Sequence, residues 1–189
     1  MATLCVYCAA ANDLAPKYIE AARDTGRLIG ERGHTLIYGG ANRGLMGEAA
    51  HATHQAGGKV IGVIPKALVD LEQAYEDADE LVISDGLRDR KAILEARADG
   101  FIVLPGGLGT FDELFEVLTL RQLKYHNKPI VIVNTFNYFD PLITMIEHMC
   151  EEGFVRPTYK LLFDVVAQPL AAVELIENYK PVEIPSRFA

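Results

Sequence analysis

The chain has 189 residues, half of them hydrophobic and 23% charged, the make-up of an ordinary globular protein long enough to bury a real core. Its net charge of −8 argues against a nucleic-acid partner, because duplex binding rests on Lys and Arg neutralising phosphates. No run of about 18 apolar residues is present to span a membrane, and Met1-Ala2-Thr3-Leu4 enters a strand-like run without a charged leader, so a cytoplasmic protein with no membrane partner is expected.

In chain order, residues 4–8 read as a buried strand and residues 8–13 as a small-residue turn. Cys5 and Cys8 form a C-x-x-C, but a redox pair belongs at a helix start, and these lie in a strand, so they are expected to be buried structural thiols. A helix follows over 16–32, with Pro16 suited to its first turn and Gly33 to its stop. Residues 34–38 predict a second strand ending in Gly39-Gly40-Ala41-Asn42-Arg43-Gly44, then a helix over 45–55 and a third strand over 59–64. An acid-rich segment, 66–80, is expected to be a mobile loop. Strands over 81–84, 101–104, 129–134 and 162–167 alternate with helices over 87–98, 114–124, 140–152 and 169–179.

The strands are continuous apolar runs, the pattern of parallel strands buried on both faces. The expected fold is therefore α/β: a Rossmann-like, doubly wound parallel sheet flanked by helices in three layers, as one domain over 1–189 with its core over about 3–180. Ligands of such sheets bind beyond the carboxyl ends of the strands, where strand order reverses. Four segments converge there: the turn at 8–12, the glycine turn at 39–44, the loop after Ile64, and Leu104-Pro105-Gly106-Gly107-Leu108-Gly109-Thr110-Phe111-Asp112-Glu113.

That last segment joins a strand to a helix through glycines, which let a ligand approach the main chain. The first helical amides lack intrahelical partners and the helix dipole adds positive charge, which favours a phosphate. Neither the G-x-G-x-x-G spacing nor a G-x-x-x-x-G-K-[ST] loop is present, so a nucleotide as substrate fits better than a dinucleotide cofactor or a triphosphate.

Glu113 has two readings. Thr110-Phe111-Asp112-Glu113 fits a capping box, and Asp112 and Glu113 suit a helix N-terminus; alternatively Glu113 carries chemistry. Arg88, Arg90 and Lys91 open a helix, where cations are unfavourable, so either Asp85 and Asp89 or a ligand phosphate should offset them. Arg43 is a weaker case of the same kind. Glu72, in a run with Asp70, Glu76, Asp77, Asp79 and Glu80, reads first as solvated acidic surface. His51 and His54 lack ligand partners at suitable spacing, so no metal site is expected. In the helix after the glycine turn, Phe111, Leu114, Phe115 and Leu118 form one stripe, and Val117, Leu120 and Leu123 fall off it. The second side packs either on another subunit or under the chain's own C-terminal segment.

Pro105 to Glu113 fits the signature P-G-G-x-G-T-x-x-E at every fixed position. With Tyr38-Gly39-Gly40, Gly44-Leu45-Met46-Gly47, Gly62-Val63-Ile64-Pro65 and Arg90-Lys91, the chain resembles the Lonely Guy (LOG) family of cytokinin riboside 5′-monophosphate phosphoribohydrolases, once mislabelled lysine decarboxylases. The resemblance implies hydrolysis of the N-glycosidic bond of a nucleoside 5′-monophosphate, either a cytokinin riboside 5′-monophosphate or AMP, to an adenine-type base and ribose 5-phosphate. It implies Arg90 and Glu113 as the catalytic pair. It also implies substrate contacts from Glu72, Lys91, Gly106, Gly107, Leu108, Gly109, Thr110, Phe111, Asp112 and Thr119, no metal or other cofactor, and a homodimer. Two positions depart from the family pattern: Cys8-Ala9-Ala10-Ala11 replaces a serine-containing turn, and Leu87 replaces a methionine. The alternative is a non-catalytic nucleotide-binding protein. A lysine decarboxylase lacks support, since no pyridoxal-lysine context is visible.

Overall fold

Alternate residues along the inner strands are apolar in both directions, and each set meets its own layer of helices. The computed structural model describes residues 1–69, 71 and 74–183. Its strands are β1 (Thr3–Tyr7), β2 (Thr35–Tyr38), β3 (Lys59–Pro65), β4 (Glu80–Ser84), β5 (Gly100–Val103), β6 (Ile130–Val133) and β7 (Asp164–Val166). The helices are α1 (Pro16–Glu31), α2 (Gly44–Gln55), α3 (Leu87–Arg97), α4 (Leu108–Gln122), α5 (Asp140–Glu151) and α6 (Pro169–Glu177). Leu4 and Val6 of β1 pack with α1, α2 and α6 through residues such as Ile29, Leu45 and Val173. Cys5 and Tyr7, pointing the other way, pack with α3, α4 and α5 through Leu94, Leu114 and Ile146. Three layers result, as expected. All three cysteines are free thiols, and burial pushes those of Cys5 and Cys8 well above the usual range.

All seven strands are parallel, in the order β4-β3-β2-β1-β5-β6-β7. The chain winds outward from β1 to β4, then returns across the sheet to set β5 on the other side of β1. Strand order therefore reverses between β1 and β5, where Cys5 stands level with both Ile37 and Phe101. The turns leaving these two strands touch: the Ala9 amide donates to the Pro105 carbonyl at 3.3 Å.

Two expectations need correction. The helix expected from residue 114 begins at Leu108, capped by the extended Gly107 (φ −95°), with the Phe111 amide donating to the Gly107 carbonyl at 3.1 Å. Thr110 is thus the third residue of the helix rather than its cap, and the T-x-x-E pattern is not a capping box. The buried face of α4 is Thr110, Glu113, Leu114, Val117, Leu118 and Arg121, so Val117 faces the sheet while Phe115 lies exposed. The expected stripe was rotated because two inward positions near the helix start are polar.

The segment 66–80 is also fastened over its later part, not loose throughout. Ala74 bridges Ala41, the Tyr75 amide donates to the Gly40 carbonyl at 2.9 Å, and Asp79 Oδ2 accepts from the Val60 amide at 2.8 Å. Among the described residues, no helix is long and apolar enough to cross a membrane.

Candidate functional site

A cavity of about 300 Å³ opens at the reversal point. Cys8, Ala9, Ala10 and Ala11, leaving β1, form one side of it, and Gly107, Gly109 and Thr110, opening α4, form another. Arg90 and Glu113 contribute the charged wall; Met46, Leu68 and Leu87 contribute apolar surface. A larger surface concavity, about 690 Å³, lies over α1 and α2. Its exposed side chains pair with one another, as Arg23 with Glu48 (2.6 Å) and Arg27 with Glu31 (2.8 Å), and it is remote from the carboxyl ends of the strands. Of these two, the smaller combines buried charge with the start of a helix.

The two glycine turns differ in what their amides do. At the start of α2, the Leu45 and Met46 amides donate to the Ala9 carbonyl (2.9 and 3.3 Å), and the Gly44 amide donates to Asn12 Oδ1 (3.2 Å). The chain has already filled that helix end. No side chain caps α4. The amides of Leu108, Gly109 and Thr110, with no intrahelical acceptors, are the donors left for an anion. Gly106 is required for contact alone: a Cβ there would overlap the Thr110 side chain.

Arg90 and Glu113 are 8% and 4% exposed. Arg90 comes from the first turns of α3, and Glu113 from the sheet-facing side of α4. Arg90 Nη1 donates to Glu113 Oε1 at 2.7 Å, and Arg90 Nε donates to the Val63 carbonyl at 3.0 Å. Burial raises the Glu113 carboxyl above the ordinary carboxylate value, and the adjacent Arg90 guanidinium opposes that rise. Room for the guanidinium is made by Gly39, where any Cβ would overlap Arg90 Nη2.

The offset expected for the α3 cations comes from neither Asp85 nor Asp89. It comes from the next helix: Glu113 for Arg90, and for Lys91 both Asp112 (2.9 Å) and Glu116 (2.6 Å). These partners lie more than 20 residues along the chain, so only the fold shows the pairing.

Of the implied substrate contacts, Gly107, Gly109 and Thr110 line the cavity. Gly106 is buried behind them, and Leu108 stands 90% exposed beside the cavity. Phe111 turns its ring edge-on to Phe139, with centroids 6.1 Å apart. Asp112 and Lys91 form their own pair outside the lining. Thr119 is exposed two turns further along α4, its hydroxyl donating to the Phe115 carbonyl at 2.7 Å, and the single chain does not bring it to the cavity. Glu72 lies outside the described residues. Arg43 is also outside the lining, donating to the Leu71 carbonyl at 3.2 Å.

His54 has side-chain partners of its own. Its Nε2 donates to Asp79 Oδ2 (2.9 Å), and its Nδ1 is hydrogen-bonded to the Tyr75 hydroxyl (2.7 Å). Among the described residues no cluster of metal-ligating side chains is present. Local pattern missed the Val63 carbonyl, the space at Gly39, and Leu68; only a close-packed glycine after a strand hinted at the second.

The family model described as "Possible lysine decarboxylase" matches residues 46–176. A curated relative, the cytokinin riboside 5′-monophosphate phosphoribohydrolase of Mycobacterium tuberculosis, is 46% identical over 82% of this chain and 83% of its own length. The protein of that name, LOG, from Oryza sativa subsp. japonica is 40% identical over 94% of this chain and 74% of its own. Among solved structures, the molybdenum cofactor binding protein from Rippkaea orientalis superposes with a TM-score of 0.71 at 21% identity, covering 93% of this chain and 95% of that one. The molybdenum cofactor carrier protein from Chlamydomonas reinhardtii gives 0.71 at 23% identity, covering 94% and 99%. These two structures share the fold.

Proposed function

Because the chain belongs to the LOG family, whose model still carries the lysine decarboxylase description, we propose that it is an N-glycosyl hydrolase. It cleaves the N-glycosidic bond of a nucleoside 5′-monophosphate to an adenine-type base and ribose 5-phosphate. The observation that carries this reading is the buried Arg90–Glu113 pair walling the same cavity as the free amides of α4.

The chemistry requires two features, and the cavity supplies both. Cleavage passes through an oxocarbenium-like state, with positive charge growing on the ribose. A fixed carboxylate stabilises that charge more than it stabilises the neutral ground state. Glu113 supplies the carboxylate and is placed to orient the attacking water. Arg90, clamped by Val63 and Glu113, keeps the carboxylate in place and favours its charged form despite burial. The α4 amides and helix dipole hold the 5′-phosphate, which anchors the ribose for attack. Pyridoxal chemistry would need a lysine amine in the cavity; the described lining includes none, and Lys91 is engaged by Asp112 and Glu116.

Met46, Leu68 and Leu87 favour a base with an apolar substituent, as in a cytokinin riboside 5′-monophosphate, over unmodified AMP. A second copy of the chain belongs to the same reading. Leu108 and Phe115 are exposed on α4 and Leu123 just past its end, with Thr119 between them, so a dimer through this face would cover apolar surface and bring Thr119 into an interface.

The test is incubation with AMP and with isopentenyladenosine monophosphate, following free base by chromatography. Release, faster from the second, supports the reading. Binding without release from either returns the chain to the non-catalytic alternative. Glu113→Gln should fold and bind ribose 5-phosphate but lose turnover; full activity in that variant removes Glu113 from the chemistry.

A further inference from the structure

Tyr138 is outside the cavity lining, yet it touches the glycine turn directly. Its hydroxyl donates to the Gly106 carbonyl at 2.6 Å. A trans peptide carries its carbonyl and N–H on opposite sides. With the Gly106 carbonyl held by Tyr138, which is outside the lining, the Gly107 N–H points away from Tyr138, and Gly107 itself lines the cavity. The unit between two glycines is the one most free to make a half-turn. Such a flip would aim a carbonyl oxygen at the place assigned to the phosphate.

The segment carrying Tyr138 is strained. Phe136 (φ 55°, ψ 32°) and Asn137 (φ 59°) are consecutive non-glycine residues in the left-handed region, which L side chains disfavour. Burial does not account for it, since Phe136 is exposed. What the strained turn does is deliver Tyr138. The Tyr138 ring is held edge-on by Phe139 (centroids 5.0 Å, 90°) and by Tyr18 of α1 (5.7 Å, 75°). Lys17 lies over the rings of Tyr18 and Phe136 at 4.9 and 4.7 Å. Asn134 closes the base of the turn, its Oδ1 accepting from the Phe139 amide at 2.7 Å.

We propose that Tyr138 is a positioning residue that locks the Gly106–Gly107 peptide with its N–H toward the phosphate. This rests on the reading of the glycine turn as the 5′-phosphate site. Tyr138 acts through the peptide and touches no substrate, so its effect falls on phosphate affinity and not on the bond-breaking step.

The experiment compares wild type and Tyr138→Phe by calorimetry, using ribose 5-phosphate and, separately, adenine; neither ligand turns over. The phenylalanine keeps the ring packing and removes only the hydroxyl. The dissociation constant for ribose 5-phosphate should rise about fivefold, the factor of one ordinary hydrogen bond, with adenine binding unchanged. KM for the nucleoside monophosphate should rise by a similar factor with kcat little altered. A double variant separates locking from general stability. A half-turn of the peptide would carry Gly107 from φ −95° to positive φ, which alanine disfavours, and nothing lies within 4 Å of a Cβ added at Gly107. With Gly107→Ala alone as the reference, so that any direct effect of the methyl on the cavity cancels, adding Tyr138→Phe should therefore cost little further affinity.

Unchanged ribose 5-phosphate affinity in Tyr138→Phe, an equal loss for adenine, or a loss as large in the Gly107→Ala background as in wild type overturns the lock. So does a wild type that binds no ribose 5-phosphate, whether or not it releases base. If wild type releases no base but Tyr138→Phe still shows the selective loss, and that loss shrinks in the Gly107→Ala background, hydrolysis falls and the lock stands. If wild type hydrolyses and Tyr138→Phe binds as tightly, the lock falls alone.

Discussion

Gly39→Ala disturbs the charged wall without altering either charged residue. The backbone at Gly39 is outside the left-handed region, so alanine is conformationally acceptable. The difficulty is space: the methyl overlaps Arg90 Nη2 and comes within 2.9 Å of Met46 Sδ. Met46 can rotate aside, since thioether side chains adapt to such demands. The guanidinium cannot move far without stretching its bonds to the Val63 carbonyl (3.0 Å) and Glu113 (2.7 Å). Removing one partner of a buried pair costs about 3–5 kcal/mol, and forcing the two apart while both stay buried approaches that range. Here the cavity beside Arg90 gives it somewhere to relax, so the lower figure, about 3 kcal/mol, is expected. A displacement of roughly 1 Å at a catalytic group costs about a hundredfold in rate. Urea unfolding of Gly39→Ala should show the destabilisation, and base release at saturating substrate should fall about a hundredfold. A folded Gly39→Ala with wild-type kcat would refute the argument, because the close approach of Arg90 to Gly39 would then have no bearing on catalysis.

The remaining expectations concern pH, the 66–80 segment and the α4 face. If the ionised Glu113 carries the reaction, activity is lost as pH falls through its pKa, and burial raises that pKa; the acid limb of kcat/KM should therefore lie above the ordinary glutamate value of about 4.3, and a limb at or below that value would contradict the assignment. Asp79 is held below its ordinary range by its bonds from the Val60 amide and His54, so it contributes stability above its unfolded pKa that is lost as pH falls through the folded one. Asp79 is exposed, so solvent screens these contacts and Asp79→Ala should be less stable by only about 0.5 kcal/mol at neutral pH, with the gap closing in acid; a gap independent of pH would exclude a charge-based role. Light scattering should find wild type dimeric and Phe115→Lys monomeric; a dimeric Phe115→Lys would move the interface off the exposed α4 face.

Most of the architecture was legible because parallel strands covered on both faces leave unbroken apolar runs, such as residues 101–104 and 129–134. Helix α4 was the exception, and the reason is local. Its first two turns hold Gly109 and the inward polar pair Thr110 and Glu113, so a sustained helical pattern was read only from Leu114. Pattern then took Thr110 for a cap, although Gly107 had already closed the helix. The Arg90–Glu113 pairing was hidden for a different reason: its partners belong to separate helices that meet only once β5 has returned beside β1. The LOG resemblance named the residues; the fold supplies the physical basis for pairing them.

The two glycine turns carry this furthest. Both follow strands and both open helices, and nothing in their own residues says which one takes the phosphate. The answer lies in the turn after β1. The Ala9 carbonyl accepts the first amides of α2, while the Ala9 amide donates to Pro105 at the mouth of the other turn. One helix end is filled, and the other is positioned but left open. Both contacts are backbone contacts, so replacement of the family's serine-containing turn by Ala9-Ala10-Ala11 leaves this division intact. What the alanines remove is side-chain hydrogen bonding at the cavity edge. On the proposed reading, the phosphate then depends all the more on the α4 amides, and so on the Gly106–Gly107 peptide that Tyr138 holds.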